Sequence, residues 1–434
     1  MKKSLLALAA MTAFAGAAQA QSSVTVYGIL DVGLIGSDYR GTAVTAGSAG
    51  NGTTGAVNQK SSSAQFGQSA ESTSRIGFRG TEDLGGGATA FFTAEYSLNP
   101  NSTAGLAATN RQTFVGLGKK GLGKVSMGTQ YTPIHVLTAA TDAAGLNNLV
   151  GNAVYATNPT SGTGGANFGV GPYAGNSTTS QNLNGATGAY TTRVSNALVY
   201  ESDRMAGIQA RALYTNMSQN QTTNPGVADE QPNAGGGVNN TAWGLGADYI
   251  WKKLQVAVAQ QVLSNNSPGS GVTGTAAGSS LASGSAGVTT VGFNMKDTQQ
   301  YAAVTYDFGI LKAFYQYSNR KAVSYEVGNN STSRSAQQIG VRAPLTSTIQ
   351  VFATAGLGKS QYYSATYQNP SSFRTAQLGA DYYLSKRTNL YALYGSMNQS
   401  SNGSTAGGTV AAQGQAGAVP VGATNYALGV RHTF

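Results

Sequence analysis

Apolar and polar residues alternate in segments of about 8 to 12 residues, and such segments recur along almost the whole chain. The connections between these segments alternate between very short ones and long stretches rich in Gly, Ser, Thr, Asn and Ala. Period-two alternation predicts strands with one apolar and one polar face. The pattern of connections predicts an antiparallel sheet with turns at one end and loops at the other.

The first two predicted strands show the two faces. In residues 72–79, Arg75 and Arg79 alternate with apolar residues. In residues 23–36, Asp31 shares its parity with Thr25 and Tyr27, and the opposite face is apolar: Val24, Val26, Leu30, Val32 and Leu34. A charged side chain is costly on a surface that faces lipid, so we expect these charges to face water.

Sixteen strands are predicted in this way. They cover residues 23–36, 72–79, 88–98, 111–118, 124–131, 193–201, 207–217, 242–251, 254–263, 297–308, 311–320, 335–343, 348–358, 374–384, 388–397 and 424–434. The low-complexity stretches at about 41–70, 218–240, 264–292 and 398–423 are predicted to be surface loops.

Composition places this sheet in a membrane. Charged residues make up 10% of the chain, whereas about a quarter is typical of soluble proteins. No stretch after the first twenty residues is apolar for long enough to form a spanning helix. A sheet crosses hydrocarbon only when it closes and leaves no unpaired edge. The predicted fold class is all-β, a 16-stranded antiparallel transmembrane β-barrel with short periplasmic turns and long extracellular loops.

A barrel of about sixteen strands is too wide for its side chains to fill, so we expect a water-filled channel. Residues 132–192 form a connection far longer than an ordinary loop. We expect this segment to be a constriction loop folded into the pore. Aromatic residues near strand ends, Tyr27, Tyr131 and Tyr391 among them, are expected to form girdles at the lipid headgroups.

The first residues predict export. Lys2 and Lys3 precede an apolar run, and small residues ending at Ala20 complete the form of a cleaved signal peptide. We expect residues 1–20 to be removed and residues 21–434 to form one barrel domain. The expected location is the outer membrane of a Gram-negative cell.

Several other function classes are excluded by composition. The formal net charge is +10, but Lys and Arg are scattered singly, which argues against nucleic-acid binding. The chain has no Cys, and its only histidines are His135 and His432, so we expect no metal site, no catalytic dyad and no cofactor. We expect His135 to be a solvated side chain and the protein not to be an enzyme.

Residues 118–125 (GKKGLGKV) come close to the pattern of a phosphate-binding loop. Val125 stands where that pattern requires a hydroxyl residue, and a strand continues where a helix is needed. The sequence therefore predicts a hairpin turn rather than a nucleotide site.

Six stretches resemble the general-diffusion porins of Gram-negative bacteria, specifically the trimeric family typical of β-proteobacteria. They are residues 22–33 (SSVTVYGILDVG), 74–87 (SRIGFRGTEDLGGG), 110–118 (NRQTFVGLG), 128–133 (GTQYTP), 384–390 (LSKRTNL) and 429–434 (GVRHTF). The resemblance implies sixteen strands, a homotrimer and a third loop folded into each pore. The alternating C-terminus that ends at Phe434 resembles the signal read by the outer-membrane assembly machinery.

The resemblance also implies that Arg75 and Arg111 line the pore constriction. The family usually carries Arg where Thr129 stands, which implies one positive group fewer here. Strand position and parity add further pore-lining candidates: Arg79, Arg193 and Arg211, with the carboxylates Asp31, Glu95 and Asp142. A guanidinium stays charged at any working pH and presents a planar donor fork to anions.

The expected function is passive diffusion of small hydrophilic solutes and ions, with a weak preference for anions. The expected partners are two further copies of the chain, outer-membrane lipid and lipopolysaccharide. Two alternatives remain open. One is a substrate-selective channel, which would show saturable flux, and the other is a surface receptor or adhesin that uses the polar loops.

Overall fold

The computed structural model describes residues 23–45, 55–101, 103, 106–155, 190–221, 236–267, 293–324, 331–363, 368–401 and 421–434. The predicted signal peptide lies outside them. The elements are β1 Ser23–Thr45, β2 Gly55–Gln68, β3 Arg75–Gly85, β4 Ala88–Leu98, β5 Leu106–Lys119, β6 Gly123–Tyr131, α1 Pro133–Thr141, β7 Arg193–Glu201, β8 Ile208–Gln221, β9 Gly236–Trp251, β10 Leu254–Ser267, β11 Phe293–Asp307, β12 Lys312–Ser324, β13 Ser331–Pro344, β14 Ile349–Tyr363, β15 Gln368–Tyr383, β16 Thr388–Ser401 and β17 Val421–Thr433.

The strands form one antiparallel sheet that closes on itself. β1 pairs with β17, with Ile29 opposite Thr433 and Gly41 opposite Val421. At the end of the chain, the backbones of Gly28 and Phe434 exchange two hydrogen bonds of 3.1 Å each. Closure removes the edges at which amide and carbonyl groups would stay unpaired in lipid.

β2 and β3 share one strand position. Residues 32–45 of β1 pair with β2, and residues 23–29 of β1 pair with β3. Residues 69–74 separate the two segments, and we call them the β2–β3 link. The barrel therefore has sixteen strand positions, which confirms the predicted fold class.

The strands extend further toward the long loops than predicted. The prediction of a surface loop at about 41–70 is wrong for residues 55–68, which form β2. β9 begins at Gly236, β10 ends at Ser267 and β16 ends at Ser401, so the other loop predictions are too long as well. Backbone pairing continues where both faces are polar, and such stretches carry no apolar alternation that marks them in sequence. The rest of these loops lies outside the described residues.

The two faces of the barrel wall follow the predicted parity of the first strand. Val24 is 65% exposed and Val26 is 51% exposed on the outer surface, whereas Asp31 is completely buried inside. The girdle prediction is wrong for Tyr27 and Tyr391. Their hydroxyls donate to the inward carboxylates of Glu95 and Asp31, at 3.1 and 2.6 Å.

The stretch at residues 118–125 is a hairpin, as predicted. It joins β5 to β6, and residues 120–122 form the turn. Gly121 and Gly123 adopt positive φ angles of 86° and 111° there, a conformation that favours glycine. No nucleotide-binding helix follows, because β6 continues directly.

Residues 132–155, the first part of the long connection after β6, enter the barrel, whereas residues 156–189 of the predicted constriction loop lie outside the described residues. The connection begins with α1, where the Thr132 hydroxyl accepts a hydrogen bond from the amide of His135 and caps the helix. Ile134 and Leu137 of the helix pack in one cluster with small and aromatic residues of the inner wall: Ala257, Ala259, Tyr301 and Ala303. Small wall residues leave room for a helix inside the barrel.

Residues 142–155 then cross the interior and fasten to strands on the other side. The amide of Val150 donates to Asn425 Oδ1 at 3.1 Å, and the amide of Ala153 donates to Gln338 Oε1 at 2.7 Å. The amide of Gln377 donates to the carbonyl oxygens of Leu149 and Val150. Side-chain amides of the wall thus satisfy backbone groups that lie outside regular structure.

The described residues contain neither a membrane-spanning helix nor a cluster of metal-binding side chains. No helix in these ranges is both long enough and apolar enough to span a membrane. Nor do the same ranges contain a group of three or more His, Cys, Asp or Glu side chains suited to a metal ion.

Candidate pore constriction

Arg75 stands at the first position of β3, directly after the β2–β3 link. Its Nε donates to the carbonyl oxygen of Thr73 at 3.0 Å, and its Nη2 donates to the hydroxyl of Ser72 at 2.8 Å. Its Nη1 lies 3.9 Å from Glu95 Oε1. The link therefore fixes the direction of this guanidinium and leaves it only a loose ion pair.

Arg111 reaches the interior through a β-bulge. Val115 and Leu117 of β5 are 63% and 62% exposed on the outer face, so strict alternation would direct Arg111 outward as well. Glu95 instead pairs with Gln112 and the next residue of β4 pairs with Asn110, which leaves Arg111 as the extra residue. A bulge changes the direction of a side chain in this way. The inward direction of Arg111 therefore comes from the bulge and not from the alternation of the strand.

Glu95 connects the groups around it. Its Oε1 accepts from Arg111 Nε at 2.7 Å, and its Oε2 accepts from the Tyr27 hydroxyl at 3.1 Å. The carboxylate is 5% exposed and the Arg111 side chain 8% exposed. A buried carboxylate of this kind needs such partners, because an unpaired buried charge is costly.

Arg193 joins the group through Tyr131. The two residues are partners in the ladder between β6 and β7. Arg193 Cζ lies 5.6 Å from the centroid of the Tyr131 ring, and the Tyr131 hydroxyl accepts from Arg111 Nη2 at 2.9 Å. We call Arg75, Arg111 and Arg193 the guanidinium cluster.

The constriction loop supplies the facing aromatic groups. The His135 ring stacks on Tyr131 with centroids 4.3 Å apart and an interplanar angle of 23°. Tyr155 lies 6.2 Å from His135. We call Tyr131, His135 and Tyr155 the aromatic patch. His135 was expected to be a solvated side chain, whereas the residue is half-buried and its ring stacks on Tyr131 at the edge of an opening.

Burial of His135, together with the positive charges of the guanidinium cluster, lowers the pKa of its imidazole to about 3. The ring is therefore neutral at neutral pH and adds no charge to the constriction. Burial also raises the pKa of the Tyr155 hydroxyl, so this group is uncharged as well.

The guanidinium cluster and the aromatic patch surround one opening of about 380 Å³. The other lining residues come from the β2–β3 link and the constriction loop: Ser72, Thr73, Val136, Ala139, Gly145, Leu146, Asn148 and Thr192. The link and the loop are tied together, because Asn148 Nδ2 donates to the carbonyl oxygen of Ser69 at 2.7 Å.

The structure separates two predicted arginines from this opening. Arg211 binds two carboxylates, with Nη1 2.7 Å from Asp248 Oδ1 and Nε 3.2 Å from Glu201 Oε2. Arg79 lies over the ring of Tyr27, with its Cζ 5.3 Å from the ring centroid. Neither residue lines the opening described above.

Two carboxylates predicted to line the pore, Asp31 and Asp142, do not line this opening either. Asp31 accepts from the amides of Glu71 and Ser72, at 2.9 and 2.6 Å, and so holds the β2–β3 link. Asp142 accepts from the amide of Leu146 and from Asn152 Nδ2, and it braces the constriction loop. Burial raises the pKa of the Asp142 carboxyl.

Thr129 replaces the arginine that the resemblance implies. Its hydroxyl lies 3.4 Å from the hydroxyl of Ser195. It lies at an irregularity of the ladder, because Gly128 pairs with Ala197 and Gln130 with Val194. This position brings no positive charge to the guanidinium cluster.

Sequence reasoning missed the roles of Tyr131, Tyr155 and the β2–β3 link. Tyr131 was assigned to a girdle because it ends a strand, and Tyr155 lies in a stretch without a recognisable motif. The sequence did carry one sign of the contact between Tyr131 and His135. The two residues lie on either side of Thr132, the helix cap, and this spacing brings their rings close together.

A closed barrel with a loop inside it and an opening lined by guanidinium groups is typical of a transmembrane channel of the outer-membrane type. The chain matches the profile of the Gram-negative porin family over residues 7–402 and belongs to that family. It is an outer-membrane diffusion channel.

Curated relatives agree with this assignment. An outer-membrane porin of Bordetella pertussis is 27% identical over 425 residues, which cover 91% of this chain and 94% of the relative. Outer membrane porin protein 32 of Delftia acidovorans is 39% identical over 137 residues, which cover 31% of this chain and 33% of the relative.

Solved structures show the same fold. An anion-selective porin from Comamonas acidovorans has a TM-score of 0.61 at 20% identity, with 95% of this chain and 100% of that chain covered. The trimer form of OmpT from Vibrio cholerae has a TM-score of 0.53 at 13% identity, with 95% and 99% covered.

Proposed function

We propose that this porin is a general-diffusion channel with a weak preference for anions, set by the guanidinium cluster at its constriction. The observation that carries the proposal is the charge around the opening. Three guanidinium groups line it, and Glu95 is the carboxylate that pairs with two of them among the described residues. The three guanidinium groups and the Glu95 carboxylate together have a formal charge of +2.

The expected preference is weak for a physical reason. Two unit charges about 4 Å apart interact by about 1 kcal/mol in bulk water and about 4 kcal/mol near a protein surface. The Glu95 carboxylate and the surrounding water reduce the attraction further. An anion is thus favoured on entry and still released, which conduction requires.

The constriction loop sets the size limit. Wall contacts from Gln338, Gln377 and Asn425 hold it across the interior. Solutes that are small and hydrophilic pass the remaining opening, and larger ones are excluded. Arg79, Arg211, Asp31 and Asp142 act in this proposal on the stability of the wall and the loop rather than on passing ions.

Assembly and environment complete the proposal. Residues 1–20 act as a signal peptide, and residues 21–434 form the barrel. Phe434 serves as the assembly signal, and the mature chain forms a homotrimer in contact with lipid and lipopolysaccharide. The trimer form of the Vibrio OmpT supports the homotrimer, and the anion selectivity named for the Comamonas porin supports the proposed anion preference.

The test is electrophysiology of the purified protein in a planar bilayer under a KCl gradient. We expect stable openings in steps of three and a reversal potential on the anion side. A cation-side potential, or silence from folded protein, would overturn the proposal.

A double variant, Arg75→Gln with Arg111→Gln, tests the site itself. We expect the anion-to-cation permeability ratio to fall by about two- to tenfold. Arg211→Gln is the control, because Arg211 is held in ion pairs with Glu201 and Asp248 and does not line the opening. Unchanged selectivity in the double variant would remove both arginines from the site.

A further inference from the structure

The aromatic patch and the guanidinium cluster line the same opening and meet at Tyr131. The Tyr131 hydroxyl accepts from Arg111 Nη2, Arg193 lies near its ring, and His135 stacks on it. A solute that contacts a guanidinium here therefore lies beside aromatic rings as well. Charge selection alone does not require this arrangement.

Two polar atoms at the opening have unused hydrogen-bonding capacity. His135 Nδ1 and Arg193 Nη1 are both buried, and neither has a hydrogen-bond partner among the described residues. Buried polar atoms normally find partners, and leaving them unpaired costs stability. Both residues line the opening, but these two atoms are themselves shielded from solvent, so a solute in the opening contacts other atoms of the two side chains.

The chemistry of the lining selects among anions. A guanidinium pairs with a carboxylate through two parallel hydrogen bonds. Aromatic rings favour a planar aromatic ring in offset or edge-on contact over an aliphatic group of similar size. The opening of about 380 Å³ is within the range of roughly 300 to 1,000 Å³ that small-molecule sites occupy.

The uncharged state of the patch also matters. His135 and Tyr155 are both neutral at neutral pH, so neither repels nor traps an organic anion by charge. The attraction for the carboxylate comes from the guanidinium cluster, and the rings add a contact that depends on the shape of the solute.

We propose that the constriction contains a weak subsite for planar aromatic carboxylates, in which a guanidinium of the cluster binds the carboxylate and the aromatic patch contacts the ring. The proposal rests on the anion-preferring channel proposed above and names a class of solute for it. The channel then conducts small ions generally and slows this class through transient binding.

The experiment measures block of the chloride current by two acids of equal charge and similar size. Benzoate is planar and aromatic, whereas cyclohexanecarboxylate is neither. We expect benzoate to reach half-maximal block at a concentration about two- to tenfold lower than cyclohexanecarboxylate does. Equal block by the two acids would overturn the subsite.

Variants locate the effect. Tyr155→Leu and His135→Leu each remove a ring, and we expect the benzoate preference to shrink toward equality. Tyr155→Phe keeps the ring and should keep the preference. Tyr394→Leu makes the same kind of change on the outer face of β16, where Tyr394 is 45% exposed, and should leave the preference unchanged.

The outcomes separate the two proposals. If the channel prefers anions in the KCl gradient but is blocked equally by both acids, the proposed function stands and the subsite is overturned. A preference for benzoate that survives the double variant His135→Leu with Tyr155→Leu also overturns the subsite. If that variant fails to fold, the comparison of both acids in the wild type and in Tyr155→Phe decides.

Discussion

Glu95 and Arg111 form a 2.7 Å ion pair although they are not opposite each other in the ladder between β4 and β5. Glu95 faces Gln112, and the bulge places Arg111 beside the same carboxylate. The constriction thus depends on a single extra residue in one strand. Its main charges are coupled through one carboxylate, which makes that carboxylate the most informative site to change.

Glu95→Gln is expected to increase the preference for anions. The change removes the negative charge and raises the formal charge of the group from +2 to +3, while the amide keeps an oxygen for Arg111. The permeability ratio should rise by about two- to tenfold, measured as the reversal potential in a KCl gradient.

Glu201→Gln is the matched control for that change. Glu201 also pairs with an arginine, but it lies eight residues along β7 from Arg193, or about 26 Å. We expect a much smaller change in reversal potential. Equal effects of the two variants would show that general lumen charge, not the constriction, sets selectivity.

Asp142→Ala is expected to loosen the constriction loop. Asp142 accepts from the amide of Leu146, from Asn152 Nδ2 and from Gln338 Nε2, so its loss removes three hydrogen bonds. Step conductance should rise, and liposome swelling should admit larger sugars. Asp142→Asn keeps one acceptor oxygen, so its conductance and size limit should lie between those of the wild type and of Asp142→Ala. An unchanged size limit in the alanine variant would contradict the bracing role.

His135 should make the protein less stable in mild acid. Its folded pKa is about 3, below the ordinary 6.5, so the unfolded chain binds a proton that the folded chain does not. Stability then falls as pH decreases from about 6.5 toward 3. The loss at pH 5 relative to pH 8 should be roughly 1 to 2 kcal/mol.

His135→Gln removes this contribution. Denaturation midpoints measured from pH 8 to pH 4 should therefore fall less steeply in the variant than in the wild type. His432→Gln serves as the control, because His432 lies on β17 away from the constriction. Parallel curves for the wild type and His135→Gln would be inconsistent with a buried neutral imidazole.

Phe434→Ala should weaken closure of the barrel. A Cβ built on Gly28 would lie 2.4 Å from Phe434 Cζ, so the ring covers that glycine across the seam. We expect a loss of about 0.2 to 1 kcal/mol, typical of a cross-strand pair, together with a lower yield of folded protein. Heat-modified mobility on gels measures both, and wild-type yield with unchanged stability would exclude a role in closure.

The residue pattern was enough to predict the barrel. Asp31 and the apolar residues around it show why, since lipid outside and water inside impose opposite demands on alternate positions of every strand. The number of strand positions follows from counting such segments. Strand ends beyond the apolar layer could not be predicted, because residues 55–68 pair through their backbone without any apolar face.

The family resemblance indicated Arg75 and Arg111, and their geometry came from the fold. The inward direction of Arg111 depends on a bulge that alternation does not encode. Arg211 and Arg193 look alike in sequence, yet Arg211 binds two carboxylates and Arg193 lines the opening. Which arginines are paired with carboxylates depends on the register between neighbouring strands, and the residues of one strand do not specify that register.

By itself, the sequence determined that this chain forms a sixteen-strand membrane barrel, because alternation within each strand is a local property with a direct energetic cause. Only the tertiary structure decided which side chains meet in the pore. Tyr131, His135 and Tyr155 come together because the constriction loop folds back against its own wall. Contacts of that kind depend on packing between distant segments, which local periodicity does not specify.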